Sequence, residues 1–293
     1  MIVITTPTGD TGRQVLDRVL DSGEAVRVIA RDPSRLPEHV QANAEVVQGS
    51  HGDADTTTKA LEGADRMFWL VPPAGFHDAD SARRYYLEFA RSAAQEAASR
   101  GVRVVGVTSL GRGYEGEAGL LSAALAMDEL IEGTGAHYRA LALPFFMENL
   151  LRQARPMGEQ GTFSMANTAD RPLPTVATRD VAAAAAALLL DTSWSGQARV
   201  PLVSPDNLTP VEMAEIISDT MGRTVRYQQV PLADFQARMV QRGARPALAQ
   251  DMADMVKAQN DGIYDAEPRD PGSATATGFR QWCQDTLKPA FTS

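Results

Sequence analysis

The 293-residue chain is 44% hydrophobic and 22% charged, enough apolar material for one large α/β domain, alone or with a smaller appended part. Its formal charge of −9, with no clustering of Lys and Arg, excludes a nucleic-acid surface, because counterion release needs basic groups side by side. The single cysteine, Cys283, excludes an intrachain disulfide, and the most apolar segment, 181–190, falls well short of the roughly 20 residues that span a bilayer. No basic stretch followed by an apolar run opens the chain, so the sequence predicts a cytoplasmic protein with neither a membrane nor a nucleic-acid partner.

The first element is a β-branched run, Ile2 to Thr5, followed at once by Gly9 and Gly12 and then by Val15, Leu16, Val19 and Leu20 at helical spacing. Strand, glycine turn and helix in that order bring backbone N–H groups and the positive end of a helix dipole against a diphosphate, since glycine lacks the Cβ that blocks close approach. Thr6, Thr8, Gly9, Asp10, Thr11 and Gly12 form the predicted cofactor turn, an ordinary tight turn being the alternative. A second strand over 25–30 comes where a βαβ unit places it and runs into Arg31-Asp32-Pro33-Ser34-Arg35. That position faces the adenosine ribose, where an acid accepts the 2′-hydroxyl of NAD and an arginine accommodates the 2′-phosphate of NADP. Arg31, with Ser34 and Arg35 within reach, points to NADP(H), and Asp32 keeps NAD(H) open.

A third strand spans 45–48, and in the loop behind it Ser50 or His51 is positioned to meet the adenine, a plain polar loop being the alternative. A short helix over 53–61 leads to a buried-type strand, 66–71, stopped by Pro72-Pro73. Val71, Pro72 and Pro73 are thereby predicted to support the nicotinamide ribose. A helix over 80–100 and a fifth strand over 102–108 complete an alternation that means a parallel, doubly wound sheet. Thr108 joins the cofactor set, and Ser109 sits at a strand's carboxyl end, where ligands bind in open α/β sheets. Ser109 is read either as polarising a substrate oxygen or imine nitrogen, or as a turn cap.

After a glycine-rich loop, 111–119, come a helix over 120–132 and a sixth strand over 138–143, ended by Pro144. The predicted substrate pocket comprises Phe76, Leu110, Phe145, Phe146 and Asn149, with core packing the competing fate for the apolar ones. Beyond residue 150 the pattern is less regular: an Ala-rich helix at 181–190 behind Asp180, then Thr209-Pro-Val-Glu212, a capping box with Pro at the first helical position. That helix is predicted to run to Met221 and end at Gly222, followed by a strand over 225–230, two helices within 231–260 and a short one over 279–287. The expected organisation is a nucleotide-binding domain over 1–150, to which 171–204 returns. The rest of 151–293 is mainly an intertwined substrate-covering lobe, built from 145–170 and 205–265.

His39, His51, His77 and His137 have no metal-ligand spacing, Ser109 lacks a G-x-S-x-G elbow, and Cys283 beside Trp282 reads as a packed or surface thiol. No metal site is expected.

Taken in order, Thr8-Gly-Asp-Thr-Gly12, Ala30-Arg-Asp-Pro33, Phe68-Trp-Leu-Val-Pro-Pro73, Val107-Thr-Ser109, Leu143-Pro-Phe-Phe-Met-Glu-Asn149, Val176-Ala-Thr-Arg-Asp-Val181 and Leu208-Thr-Pro-Val-Glu-Met-Ala214 resemble the NmrA-like family of atypical short-chain dehydrogenases/reductases. Within it, the stretch from Val230 through Gly278-Phe-Arg-Gln-Trp282 looks most like the branch of the ergot-alkaloid reductases, agroclavine dehydrogenase among them. The resemblance implies a Rossmann fold over 1–150, an NADP(H) site at the first glycine turn with Arg31 near the 2′-phosphate, and a substrate cleft under a small α/β carboxyl-terminal lobe.

Two departures bear on chemistry. Thr6 stands where the family usually has its first glycine, and the Tyr-x-x-x-Lys pair of typical short-chain dehydrogenases is missing: Tyr114 is followed by Ala118, and Ala124 stands where many relatives have Lys. Without that acid to protonate an alkoxide, a substrate that is already activated suits the site: an iminium, a conjugated enone or a quinone. The expectation is an NADPH-dependent reductase of such a small molecule, possessing the form of a monomer or homodimer. The alternative is a non-catalytic NADP(H) sensor acting through a protein partner.

Overall fold

In β1 (Ile2–Ile4), Ile2 and Ile4 pack on one face of the sheet and Val3 on the other, and all three are fully buried. A strand buried on both sides requires helices on both sides, which is what the chain supplies. The computed structural model describes every residue except 73, 269, 270, 292 and 293.

From β1 the chain passes through the glycine turn into α1 (Asp10–Asp21), β2 (Val26–Ala30), α2 (Glu38–Asn43), β3 (Ala44–Gln48), α3 (Ala54–Ala60) and β4 (Arg66–Trp69). It continues through α4 (Ala79–Arg100), β5 (Arg103–Ser109), α5 (Leu121–Gly133), β6 (His137–Leu143), β7 (Phe145–Phe146), a 3₁₀ segment at Met147–Gln153 and α6 (Ala154–Gln160). Then follow β8 (Thr162–Met165), β9 (Thr175–Val176), α7 (Thr178–Leu190), β10 (Gln197–Pro201), α8 (Pro210–Met221), β11 (Arg226–Gln229), α9 (Leu232–Gln241) and α10 (Pro246–Asp261). The tail forms α11 (Phe279–Trp282), a π turn at Cys283–Leu287 and α12 (Lys288–Phe291).

Seven strands form one sheet in the order β10-β6-β5-β4-β1-β2-β3, every pair parallel. The order reverses beside β1, so the switch point at which such sheets bind ligands lies between β1 and β4. Val15, Leu16 and Val19 of α1 pack with Val181, Ala185 and Leu189 of α7 on one face. Ala90, Ala94 and Ala97 of α4, with Met127 and Ile131 of α5, cover the other. This is the expected Rossmann-type α/β fold; β10 pairs with β6, and α7 lies against α1.

A third core, with Met147, Leu150, Phe163, Ile217, Tyr264, Phe279 and Trp282, belongs mostly to the second half, where β8 pairs with β11 and β7 with β9. No helix among the described residues is long and apolar enough to cross a membrane.

Two boundaries move for physical reasons. The apolar run to Val71 predicts a longer strand than β4, but beyond Trp69 the ladder gives way to a side chain: Thr5 Oγ1 donates to Phe68 O at 2.9 Å and accepts from Leu70 N–H at 3.1 Å. The Ala-rich helix begins three residues early, at Thr178, whose N–H is taken by the Glu148 carboxylate at 3.1 Å.

Candidate functional site

The turn after β1 is shaped by Thr6 and Gly12 together. Thr6 has φ +51°, a left-handed conformation that costs a β-branched residue about 1–2 kcal/mol. Its carbonyl accepts from Gly9 N–H at 3.0 Å and lies where a Cβ on Gly12 would come within 2.2 Å, so Gly12 has to be glycine for the turn itself. Gly9 differs, because a Cβ there would meet Thr6 O at an ordinary 3.5 Å. Gly9 is the N-cap of α1 and offers no side chain, and the N–H groups of Asp10, Thr11 and Gly12 have no acceptor among the described residues. These are the open donors of a helix start.

A cleft of about 980 Å³ runs from this turn along the carboxyl ends of the strands. The first half lines it with Thr6 to Thr11, Ile29 to Asp32, Arg35, Gly49, His51, Leu70 and Pro72. The second half closes it with Phe146, Glu148, Asn149, Leu151, Arg152 and Thr178.

The charges in the cleft are unequally engaged. Asp32 accepts from the Ser34 hydroxyl at 2.6 Å and the Ser34 N–H at 3.1 Å, which hold its carboxyl below the usual range. Both oxygens of Glu148 accept from Thr178 N–H, at 3.2 and 3.1 Å, and one also accepts from the Trp282 indole N–H at 3.1 Å. The guanidinium groups of Arg31, Arg35 and Arg152 have no hydrogen-bond or ion-pair partner among the described residues. His51 bonds Leu70 O through Nε2 at 2.9 Å, between the edges of Trp69 and Phe89. Burial, with the Arg31 charge adding to it against the Leu70 bond, pushes its pKa down to about 4, so the ring is neutral near pH 7 and Nε2 carries the donated proton.

A dinucleotide fits these residues. The bare Gly9, three open N–H groups and the unpaired Arg31 and Arg35 are all complementary to phosphate oxygens.

Of the predicted cofactor residues, Thr6, Thr8, Gly9, Asp10, Thr11, Arg31, Arg35 and Pro72 line the cleft. Gly12 lies beneath the turn, Ser34 is bonded to Asp32, Ser50 Oγ accepts from Gly52 N–H, and Val71 packs in the α4-side core. Thr108 donates to Ala124 O at 3.2 Å. Pro73 lies outside the described residues.

Of the predicted substrate residues, Phe146 and Asn149 line the cleft. The others stand apart from it: Leu110 is fully buried in the second-half core, Phe145 packs against that core, and Phe76 stacks edge-on with Tyr85. Ser109 is also elsewhere, with its buried hydroxyl donating to Leu110 O at 2.8 Å and its carbonyl accepting from Arg199 at 2.8 Å. Arg152, Glu148, Leu151 and Thr178 complete the cleft although sequence reasoning did not single them out. The signal available for them was the capping acid, Glu148, which ties 147–153 to the start of α7.

The chain matches a family model described as NAD(P)H-binding over residues 7–192, and the NmrA-like family over residues 124–280. It is 30% identical to (4-alkanoyl-5-oxo-2,5-dihydrofuran-3-yl)methyl phosphate reductase of Streptomyces griseus, over 78% of this chain and 77% of that one. It is 26% identical to quinone oxidoreductase 2 of Escherichia coli over 90% of each. The structure of an NADPH-dependent quinone oxidoreductase from Escherichia coli in complex with NADPH shares the fold, with TM-score 0.79 at 23% identity over 99% of this chain and 100% of that one. The expected family and the expected NADP(H) agree with these findings, whereas the ergot-alkaloid branch stays an expectation of the sequence.

Proposed function

The chain belongs to the NAD(P)H-binding, NmrA-like family, and from that premise we propose that it is an NADPH-dependent reductase of a small conjugated carbonyl compound, a quinone foremost. One observation carries this reading: a single cleft joins the glycine turn and the unpaired Arg31 and Arg35 to the Phe146 and Asn149 edge.

In this reading the N–H groups at the start of α1 and the bare Gly9 hold the diphosphate, and Arg31 and Arg35 hold the 2′-phosphate. Pro72 and Leu70 support the nicotinamide half. Bound there, the cofactor supplies a hydride. The chain's own contribution is placement, with Phe146 offering a flat apolar surface and Asn149 a hydrogen bond to an acceptor oxygen.

The acceptor class follows from what the cleft lacks. Neither Tyr nor Lys is among its lining residues, His51 is neutral and engaged, and Glu148 is occupied by donors. An acceptor that spreads the developing charge over its own π system needs no acid from the protein, and solvent completes the protonation. Quinones meet that requirement, as does the conjugated furanone named for the Streptomyces relative. An iminium ion also needs no acid, because the hydride neutralises its own positive charge, but the relatives give it no support.

Purified protein with NADPH or NADH and a panel of quinones, enones and imines tests the proposal. Turnover is expected on quinones or enones, faster with NADPH. The same shortage of acids favours a second reading, an NADP(H) sensor, and tight NADPH binding without turnover on any acceptor, together with a captured protein partner, is the result that selects it.

A further inference from the structure

Arg152 stands on the wall of the cleft that the second half contributes, facing the space also lined by Thr8, Gly9 and Asp10. Two arginines placed four residues from a glutamate pair with it, Arg100 with Glu96 at 2.5 Å and Arg155 with Glu159 at 2.8 Å, whereas Arg84, four residues from Glu88, makes no such pair among the described residues. Arg152 has Glu148 at the same spacing, yet the Glu148 carboxylate is consumed by Thr178 N–H and the Trp282 indole. Those bonds fix the 147–153 segment against α7, and Gln14 on α1 reaches Thr178 Oγ1 at 3.1 Å, so the segment is tied to the helix that follows the glycine turn. Arg152 therefore lines the cleft on a segment fixed to α7 and α1, and its exposed guanidinium has no acid of its own.

The opposite wall supplies the reason for a cation. Asp10 lies in the first turn of α1, beside the open N–H groups, and its carboxylate accepts no hydrogen bond among the described residues. A diphosphate at those N–H groups meets a like charge from Asp10 in a chain that already carries −9. An arginine on the facing wall offsets that repulsion and adds charge-assisted, fork-shaped donors to the phosphate oxygens.

We propose that Arg152 is a diphosphate-binding residue, meeting the cofactor's diphosphate from the wall opposite the glycine turn, so that the dinucleotide is gripped between the two halves of the chain. The proposal rests on the reading of this cleft as the NADP(H) site. Its signature differs from that of Arg31: the diphosphate is common to NADH and NADPH, whereas the 2′-phosphate belongs to NADPH alone.

Calorimetric titration of wild type, Arg152→Gln and Arg31→Glu with NADPH, NADH and 2′-AMP separates the two, since 2′-AMP carries the 2′-phosphate without the diphosphate. Arg152→Gln is expected to weaken NADPH and NADH alike, about tenfold each, to leave 2′-AMP within about twofold, and to flatten the salt dependence of dinucleotide binding. Arg152→Lys should recover part of the loss. Because Arg152 is exposed and unpaired, both variants should melt with wild type. Dinucleotide affinities unchanged in Arg152→Gln, or a loss confined to NADPH and 2′-AMP, would overturn the proposal. Wild type that binds neither dinucleotide overturns the cofactor reading and this inference with it, whereas wild type that binds with an indifferent Arg152 overturns the inference alone.

Discussion

Arg199 and Arg31 serve the same sheet from opposite sides, and they are treated in opposite ways. Arg199 on β10 is nearly buried and saturated: it ion-pairs with Asp128, donates twice to Glu267 at 2.5 and 2.8 Å, and reaches Ser109 O at 2.8 Å. Asp128 in turn accepts from the buried Tyr138 hydroxyl at 2.6 Å. Burial raises the Asp128 carboxyl above its ordinary range despite the facing arginine. Arg31, Arg35 and Arg152, by contrast, project into the cleft unanswered. A saturated arginine holds the fold together; an unanswered one beside open helix N–H groups is available to a phosphate. Ser109 falls on the saturated side, which is why its strand-end position does not bring it into the cleft.

The sharpest way to break this contrast is Arg199→Met, which removes the buried cation that faces the Asp128 and Glu267 carboxylates. A loss of about 3–5 kcal/mol is expected in urea unfolding, and a loss below about 1 kcal/mol would mean the network is not structural.

His51 gives the next largest effect, through pH. Its folded pKa of about 4 lies below the ordinary value of 6.5, so the unfolded chain takes up a proton that the native one refuses. The stability is present above pH 6.5 and is lost as pH falls toward 4, on the order of 3 kcal/mol in all. Unfolding curves across that window should show the loss in wild type and not in His51→Gln; parallel pH profiles would contradict it.

Arg31→Glu should leave stability untouched while weakening NADPH about 100-fold and NADH less than about threefold. Equal losses would remove the 2′-phosphate assignment. The smallest effect is a gain: Thr6→Gly relieves the left-handed threonine and should stabilise by about 1 kcal/mol, a melting increase of about 2–4 °C, and no increase would show that the turn stores no strain.

What the sequence discloses is local. Thr209, Pro210, Glu212 and Gly222 predict α8 to the residue, because a capping box and a left-handed glycine act within one turn of the helix they bound. The glycine turn and Arg31 are likewise legible, since strand, turn, helix and next strand follow without interruption. The short elements are not: β8 has four residues and gains its partner, β11, some sixty positions later, and α2 buries only Val40, too little for a period. Adjacent aromatics hide their roles for a related reason. Phe145 and Phe146 share a two-residue strand, so one turns to the second-half core and the other to the cleft, and sequence does not say which. Arg152 was illegible because its availability depends on Thr178 and Trp282 occupying Glu148, contacts made only in the fold.

The central claim is that the cleft between the glycine turn and the 146–152 wall is an NADP(H) site. The most direct test is calorimetric titration of the wild-type protein with NADPH and with NADH at one salt concentration. The account predicts one site per chain with NADPH bound more than about tenfold tighter than NADH. Equal affinities would contradict the role given to Arg31 and Arg35, and absence of binding by both would contradict the site itself.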